Sequence, residues 1–207
     1  MDYALFLSFI AATFVIVATP GPACALASSL AVRYGPKAAV ASICGDALGT
    51  VVHIVVAVIS LQALLSLASQ ILPVLQIAGG CFILYLAYTS FTAAKTESAA
   101  LPVGGYRTAF VSGFFSCVTN PKAIVFFAAL FPGFINPELG VVFQSLIYGA
   151  VFVLLDAASI FGYAMLALSA SRSRFGERFN VERLSAFGLL GVGLLLIFKG
   201  YRELRPS

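Results

Sequence analysis

The sequence predicts an all-α integral membrane protein: six transmembrane helices forming two inverted three-helix repeats, with the first helix of each repeat broken. Three observations predict it. Of the 207 residues, 61% are apolar and only 10% are charged, against about a quarter charged in an ordinary soluble domain. The apolar residues fall in long blocks rather than amphipathic stripes, which is how membrane spans read. Two of those blocks carry a proline interruption, Pro20-Gly21-Pro22 in one and Asn120-Pro121-Lys122 in the other.

The blocks run from about Tyr3 to Val32, Ala38 to Leu61, Leu72 to Thr92, Thr108 to Phe134, Val141 to Ser169 and Leu184 to Tyr201. Each supplies the ~20 residues a helix needs to cross ~30 Å of hydrocarbon. Lipid offers the backbone no hydrogen bonds, so helices are the expected form. The start, Met1-Asp2-Tyr3, has no basic region, and the first block is expected to be retained rather than cleaved as a signal peptide.

The net charge is +4, and the twelve basic residues sit mostly in short connections. Arg33 and Lys37 lie in the first, Lys95 and Arg107 in the third, and Arg172, Arg174, Arg178 and Arg183 in the fifth. The second and fourth connections have none, which puts the odd ones in the cytoplasm and both termini outside. Lys199, Arg202 and Arg205 in the C-terminal tail run against that bias. This distribution orients a membrane protein and does not form a nucleic-acid surface.

One transporter domain is expected over residues 1–207: a first repeat at about 1–92, a connection at about 93–107 and a second repeat at about 108–207. Three helices per repeat give the two halves opposite orientation, as in many secondary transporters.

Proline removes a backbone donor and clashes with the preceding turn, so both motifs break or kink their helices. Broken helices at matching places in two repeats point to a binding site near mid-bilayer. Lys122 lies too deep in its block for easy snorkelling, where a charge costs ~2.5–3.5 kcal/mol. Asp46 and Asp156, inside the second and fifth blocks, are likewise costly facing lipid. Each is read as a proton carrier or a ligand for a substrate amino group, against the simpler reading of a structural acid or a partner of Lys122. The candidate substrate and proton pathway is therefore Pro20, Gly21, Pro22, Asp46, Asn120, Pro121, Lys122 and Asp156. His53, two turns after Asp46 on the same face, is read as a satisfied histidine near the outer interface. Ala41, Gly45 and Gly49 form a small-xxx-small row suited to close helix packing, with Gly188 and Gly191 on a similar side of the last block.

Cys24, Cys44, Cys81 and Cys117 lie in apolar blocks with no CxxC pair, which supports neither a metal site nor a disulfide framework. No cofactor is expected. The sequence has no HExxH, GxSxG or GxxxxGK[ST] motif, so neither a membrane enzyme nor an ATP-driven pump is indicated.

Taken together, Thr19-Pro20-Gly21-Pro22, Gly45-Asp46, Leu75-Gln76-Ile77-Ala78-Gly79, Ile83-Leu84-Tyr85-Leu86, Asn120-Pro121-Lys122-Ala123 with Phe126-Phe127 and Pro132, and Arg183-Leu184-Ser185 resemble the LysE/RhtB family of amino-acid exporters. The departures are Phe82, Ala87, Gly133 and Ala186, none of them in the two broken-helix motifs. The resemblance implies proton-driven export of amino acids or close relatives such as homoserine, threonine and lactones across a bacterial inner membrane. It also implies a homodimer. The alternative is a transmembrane thiol-disulfide electron carrier using Cys24 and Cys117.

Overall fold

A computed structural model describes residues 2–64 and 105–171, with single helical positions between 74 and 88 and between 190 and 202. All regular structure among the described residues is helical. Most of the third and sixth blocks lies outside the described residues, as do the connections holding Lys95, Arg172, Arg174, Arg178 and Arg183, and the residues Gly188, Gly191, Lys199 and Arg205.

Helix α1 spans Tyr3–Ala18. Asp2 caps it, its Oδ1 accepting the amides of Ala4 at 2.9 Å and Leu5 at 3.2 Å. Pro20 and Pro22 cannot continue the amide ladder, and α1 stops. Gly21 then serves as N-cap and Pro22 as first residue of α2, Pro22–Tyr34, a position where the missing N–H costs nothing. The expected connection from Arg33 to Lys37 shrinks to one residue: Gly35 turns the chain at φ +86°, open to glycine, and Pro36 starts α3. Helix α3 is Pro36–Leu64.

The second half repeats the pattern. Helix α4, Tyr106–Val118, ends before Asn120, whose side chain accepts the Lys122 amide at 3.0 Å and caps α5, Pro121–Val125. The chain then leaves α-geometry, with a π-turn over Phe126–Leu130 and a 3₁₀ turn over Phe131–Phe134. The block pattern did not predict this loosening. Gln144 ties down the following connection through the Asn136 amide and the Asn136 and Leu139 carbonyls, and α6 runs Val141–Ser171.

Helices α3 and α6 are each long and apolar enough to cross a membrane. The pairs α1/α2 and α4–Phe134 also qualify as spans, bent by 51° and 46° at their breaks. That makes two spans, or four if each bent pair is one. Helix α1 runs parallel to α6: Phe6 and Phe9 pack on Tyr148, while Val17 and Ala18 meet Ser159 and Tyr163 further along both helices.

Two features hold these helices together. Gly45 and Gly113 let α3 and α4 touch backbone to backbone. A Cβ on Gly45 would overlap the Phe110 carbonyl, one on Gly113 would overlap the Ser42 carbonyl, and one on Gly49 would lie 2.7 Å from Cys117 Cβ. The small-residue row is thus a packing seam. The second feature is a buried aromatic core of Phe9, Phe126, Phe127, Phe131, Phe134, Tyr148 and Phe152 between α1, α6 and the non-α segment.

Candidate functional site

The site begins with a consequence of proline. A proline at position n leaves the carbonyl at n−4 without its helical amide. Pro20 therefore frees Ile16, Pro22 frees Ala18, and Pro121 frees Cys117. In lipid each unmatched carbonyl costs several kcal/mol. Tightened turns return a backbone amide to two of them, Thr19 N to Ile16 O at 3.2 Å and Asn120 N to Cys117 O at 2.9 Å, and all three receive a side chain from another helix. Lys122 Nζ donates to Ile16 O at 3.0 Å, the Tyr163 hydroxyl donates to Ala18 O, and His53 Nε2 donates to Cys117 O at 3.1 Å. A carbonyl only accepts, so the His53 proton sits on Nε2.

The whole end of α1 is treated this way. Thr19 Oγ1 donates to Val15 O at 2.9 Å, the Ser159 hydroxyl donates to Val17 O, and Lys122 Nζ also donates to Thr19 O at 2.7 Å. Five consecutive carbonyls, Val15 to Thr19, have donors. A lysine at the C-terminal, negative end of α1 also suits the helix dipole. The two breaks, a hundred residues apart in sequence, are in direct contact through Lys122.

Beside this contact the two acids meet. The Asp46 and Asp156 carboxyls are close enough to interact electrostatically, and Asp46, Asp156 and Cys117 all line the same small cavity. Cys117 Sγ in turn lies 3.4 Å from Thr50 Oγ1. Asp46 is buried and Asp156 partly so. A cavity of about 20 Å³ sits among them, walled by Gly21, Asp46, Asn120, Lys122 and Asp156 with Ile16 and Phe152. That is room for a water molecule and far too little for an amino acid. A Cβ at Gly21 would lie 3.5 Å from Lys122 Nζ, an ordinary van der Waals contact.

The LysE type translocator profile matches residues 14–200. The chain belongs to the LysE type translocator family. It is 30% identical to a homoserine/homoserine lactone efflux protein of Salmonella typhimurium over 201 residues, covering 95% of this chain and 97% of that one. It is 28% identical to an uncharacterized membrane protein of Vibrio cholerae over 204 residues, covering 95% and 98%. A threonine efflux protein of Escherichia coli is 25% identical over 142 residues, covering 66% of this chain and 69% of that one. No solved structure matches.

Of the eight residues expected at the site of this LysE-family chain, Gly21, Asp46, Asn120, Lys122 and Asp156 line one cavity. Pro20, Pro22 and Pro121 act at a distance, through the carbonyls they free. Lys122, expected beside a carboxylate, directs two of its three donors to the end of α1. His53 is a satisfied histidine, stacked on Phe127 with ring centroids 5.8 Å apart. Cys24 and Cys117 are buried and free, and both border the cavity.

Sequence reading missed Ser159 and Tyr163. The signal was present: Asp156, Ser159 and Tyr163 stand at i, i+3 and i+7 in the apolar middle of α6, one polar line on one face. Thr50 follows Asp46 by one turn in the same manner.

Proposed function

We propose that this LysE-family protein is a proton-coupled exporter of amino acids or close relatives, acting by antiport across the bacterial inner membrane. The observation that carries the reading is the meeting of Asp46, Asp156 and Lys122, drawn from both halves of the chain, at the junction of the two helix breaks.

Two carboxylates packed around one small cavity repel each other unless one of them takes a proton. With Lys122 charged, a singly protonated pair makes the site neutral overall, the condition for burying such groups in lipid. A substrate ammonium is the natural competitor for that proton. If it enters, the carboxyls release the proton and hold the ammonium instead, so proton and substrate occupy the pair in turn. That exclusion is the basis of antiport.

The substrates in the relatives' names support this division of labour. Homoserine and its lactone share an ammonium, but only homoserine has a free carboxylate. The acid pair therefore supplies the common recognition. Lys122 binds the carboxylate of those substrates that have one, after exchanging its contacts with Ile16 and Thr19. The water-sized cavity then represents an occluded state, and the inverted halves rock about the two breaks to open it to each side in turn.

Efflux from cells preloaded with labelled homoserine tests the reading. Asp46→Asn, Asp156→Asn and Lys122→Ala are each expected to lower efflux severely at equal protein amount. If all three leave it intact, the assigned roles are wrong. Replacing Cys24 and Cys117 together by Ser separates this function from electron transfer: an exporter survives the change, and a thiol-disulfide carrier cannot.

A further inference from the structure

Among the described residues, three hydroxyls are buried with no hydrogen-bond partner: Thr13 Oγ1, Ser145 Oγ and Tyr148 OH. Thr13 and Tyr148 are fully buried and Ser145 is 2% exposed. An unmatched buried hydroxyl weakens the state that contains it, so three of them near one another call for a reason.

Their positions supply one. Ile16 and Phe152 are walls of the cavity. Thr13 is one turn from Ile16 on α1, Tyr148 one turn from Phe152 on α6, and Ser145 one turn further. Because α1 and α6 run parallel, all three steps lead the same way, from the cavity toward the end of the bundle where both helices begin. The hydroxyls form a line along the seam between those helices.

What closes that seam is aromatic. Phe9 stacks on Tyr148 at 4.7 Å between centroids and packs edge-on against Phe131 at 6.1 Å and Phe134 at 5.6 Å. Phe126 lies 4.9 Å from Phe152, directly over the cavity wall. Phe126, Phe131 and Phe134 all belong to the π-turn and 3₁₀ turn after α5. Such segments hold weaker hydrogen-bond geometry than an α-helix and recur where a helix works as a hinge.

We propose that the α1–α6 seam is the route by which solute leaves the cavity, that the Phe126–Phe134 segment is its gate, and that Thr13, Ser145 and Tyr148 are its polar lining when open. The proposal rests on the exporter reading above. In the closed state the hydroxyls have no partner. Once the aromatic gate swings away, water and the polar groups of the solute provide one.

The test uses the full chain in its native membrane. Thr13→Val, Ser145→Ala and Tyr148→Phe each remove one oxygen or replace it with a methyl. Each is expected to leave the thermal midpoint at or above the parent's, since a group without a partner is lost. Tyr148→Phe is expected to lower homoserine efflux about fivefold, the worth of one hydrogen bond. A purely structural role would lower the midpoint with the efflux. In a second arm, a membrane-impermeant methanethiosulfonate reagent is applied to Ser145→Cys, with the parent's own thiols as baseline. Reaction above baseline supports the route. Parent-like efflux in all three variants, or an unreactive Ser145→Cys, overturns it while leaving the exporter reading in place. If the parent exports no amino acid, the exporter reading fails, and the labelling arm alone decides whether the seam opens.

Discussion

At the scale of single residues, the site is organised by what proline cannot do. Ile16, Ala18 and Cys117 lose their α-helical donors to Pro20, Pro22 and Pro121; Tyr163 replaces the donor at Ala18, while Lys122 and His53 join a tightened-turn amide at Ile16 and Cys117. This pairing predicts a coupling. Tyr163→Phe should cost about 1 kcal/mol of stability, read as a lower unfolding midpoint in detergent. The same change made on top of Pro22→Ala should cost less, because residue 22 then has its own N–H for the Ala18 carbonyl. A double-mutant cycle measures the difference, and strict additivity would sink the pairing. The freed carbonyls were legible in the sequence, since each lies four residues before a proline. Their partners were not, because Lys122 and Tyr163 are 106 and 145 residues from the carbonyls of Ile16 and Ala18, and nothing local connects them.

At the scale of elements, two kinds of irregularity serve opposite ends. The glycine seam between α3 and α4 fixes two helices in register, and with them Asp46 next to Gly45. Gly113→Leu should overpack that crossing and cost roughly 1–3 kcal/mol or more, visible as a loss of thermal stability in detergent. An unchanged midpoint would mean that the helices do not meet there. The proline breaks do the reverse, since they keep the helix ends open to other side chains. Pro121→Ala restores the donor to Cys117 and should straighten a helix now bent by 46°. Protein amount is expected to hold while efflux collapses. Parent-like efflux in Pro121→Ala would show that the bend is dispensable. The bounds of the first, second, fourth and fifth blocks, both breaks and the Gly45–Gly49 part of the small-residue row could be read from composition and motif. The π-turn and 3₁₀ turn could not: Pro132 marks a disturbance, but its form depends on how the phenylalanines pack against α1 and α6.

At the scale of the whole molecule, the parallel course of α1 and α6 fits the charge bias of the connections, which starts both helices on the same side of the membrane. The proposed two-repeat design explains why the acids arrive from α3 and α6, the second helix of each half, while the breaks arrive from the first. The first half alone would leave the Ala18 carbonyl without its donor, and each half would hold a lone acid in an apolar helix. Together they bring side-chain donors to the end of α1, and in the proposed cycle the two acids share a proton. In that cycle this shared proton is exchanged for a substrate ammonium. The most direct measurement of the exchange is uptake of labelled homoserine into inside-out vesicles whose lumen is made acidic. The parent should accumulate homoserine in step with the pH difference, and the Asp46→Asn, Asp156→Asn double variant should not respond to it, because amides hold no exchangeable acid proton. Undiminished accumulation by that double variant under the same pH difference would contradict the account.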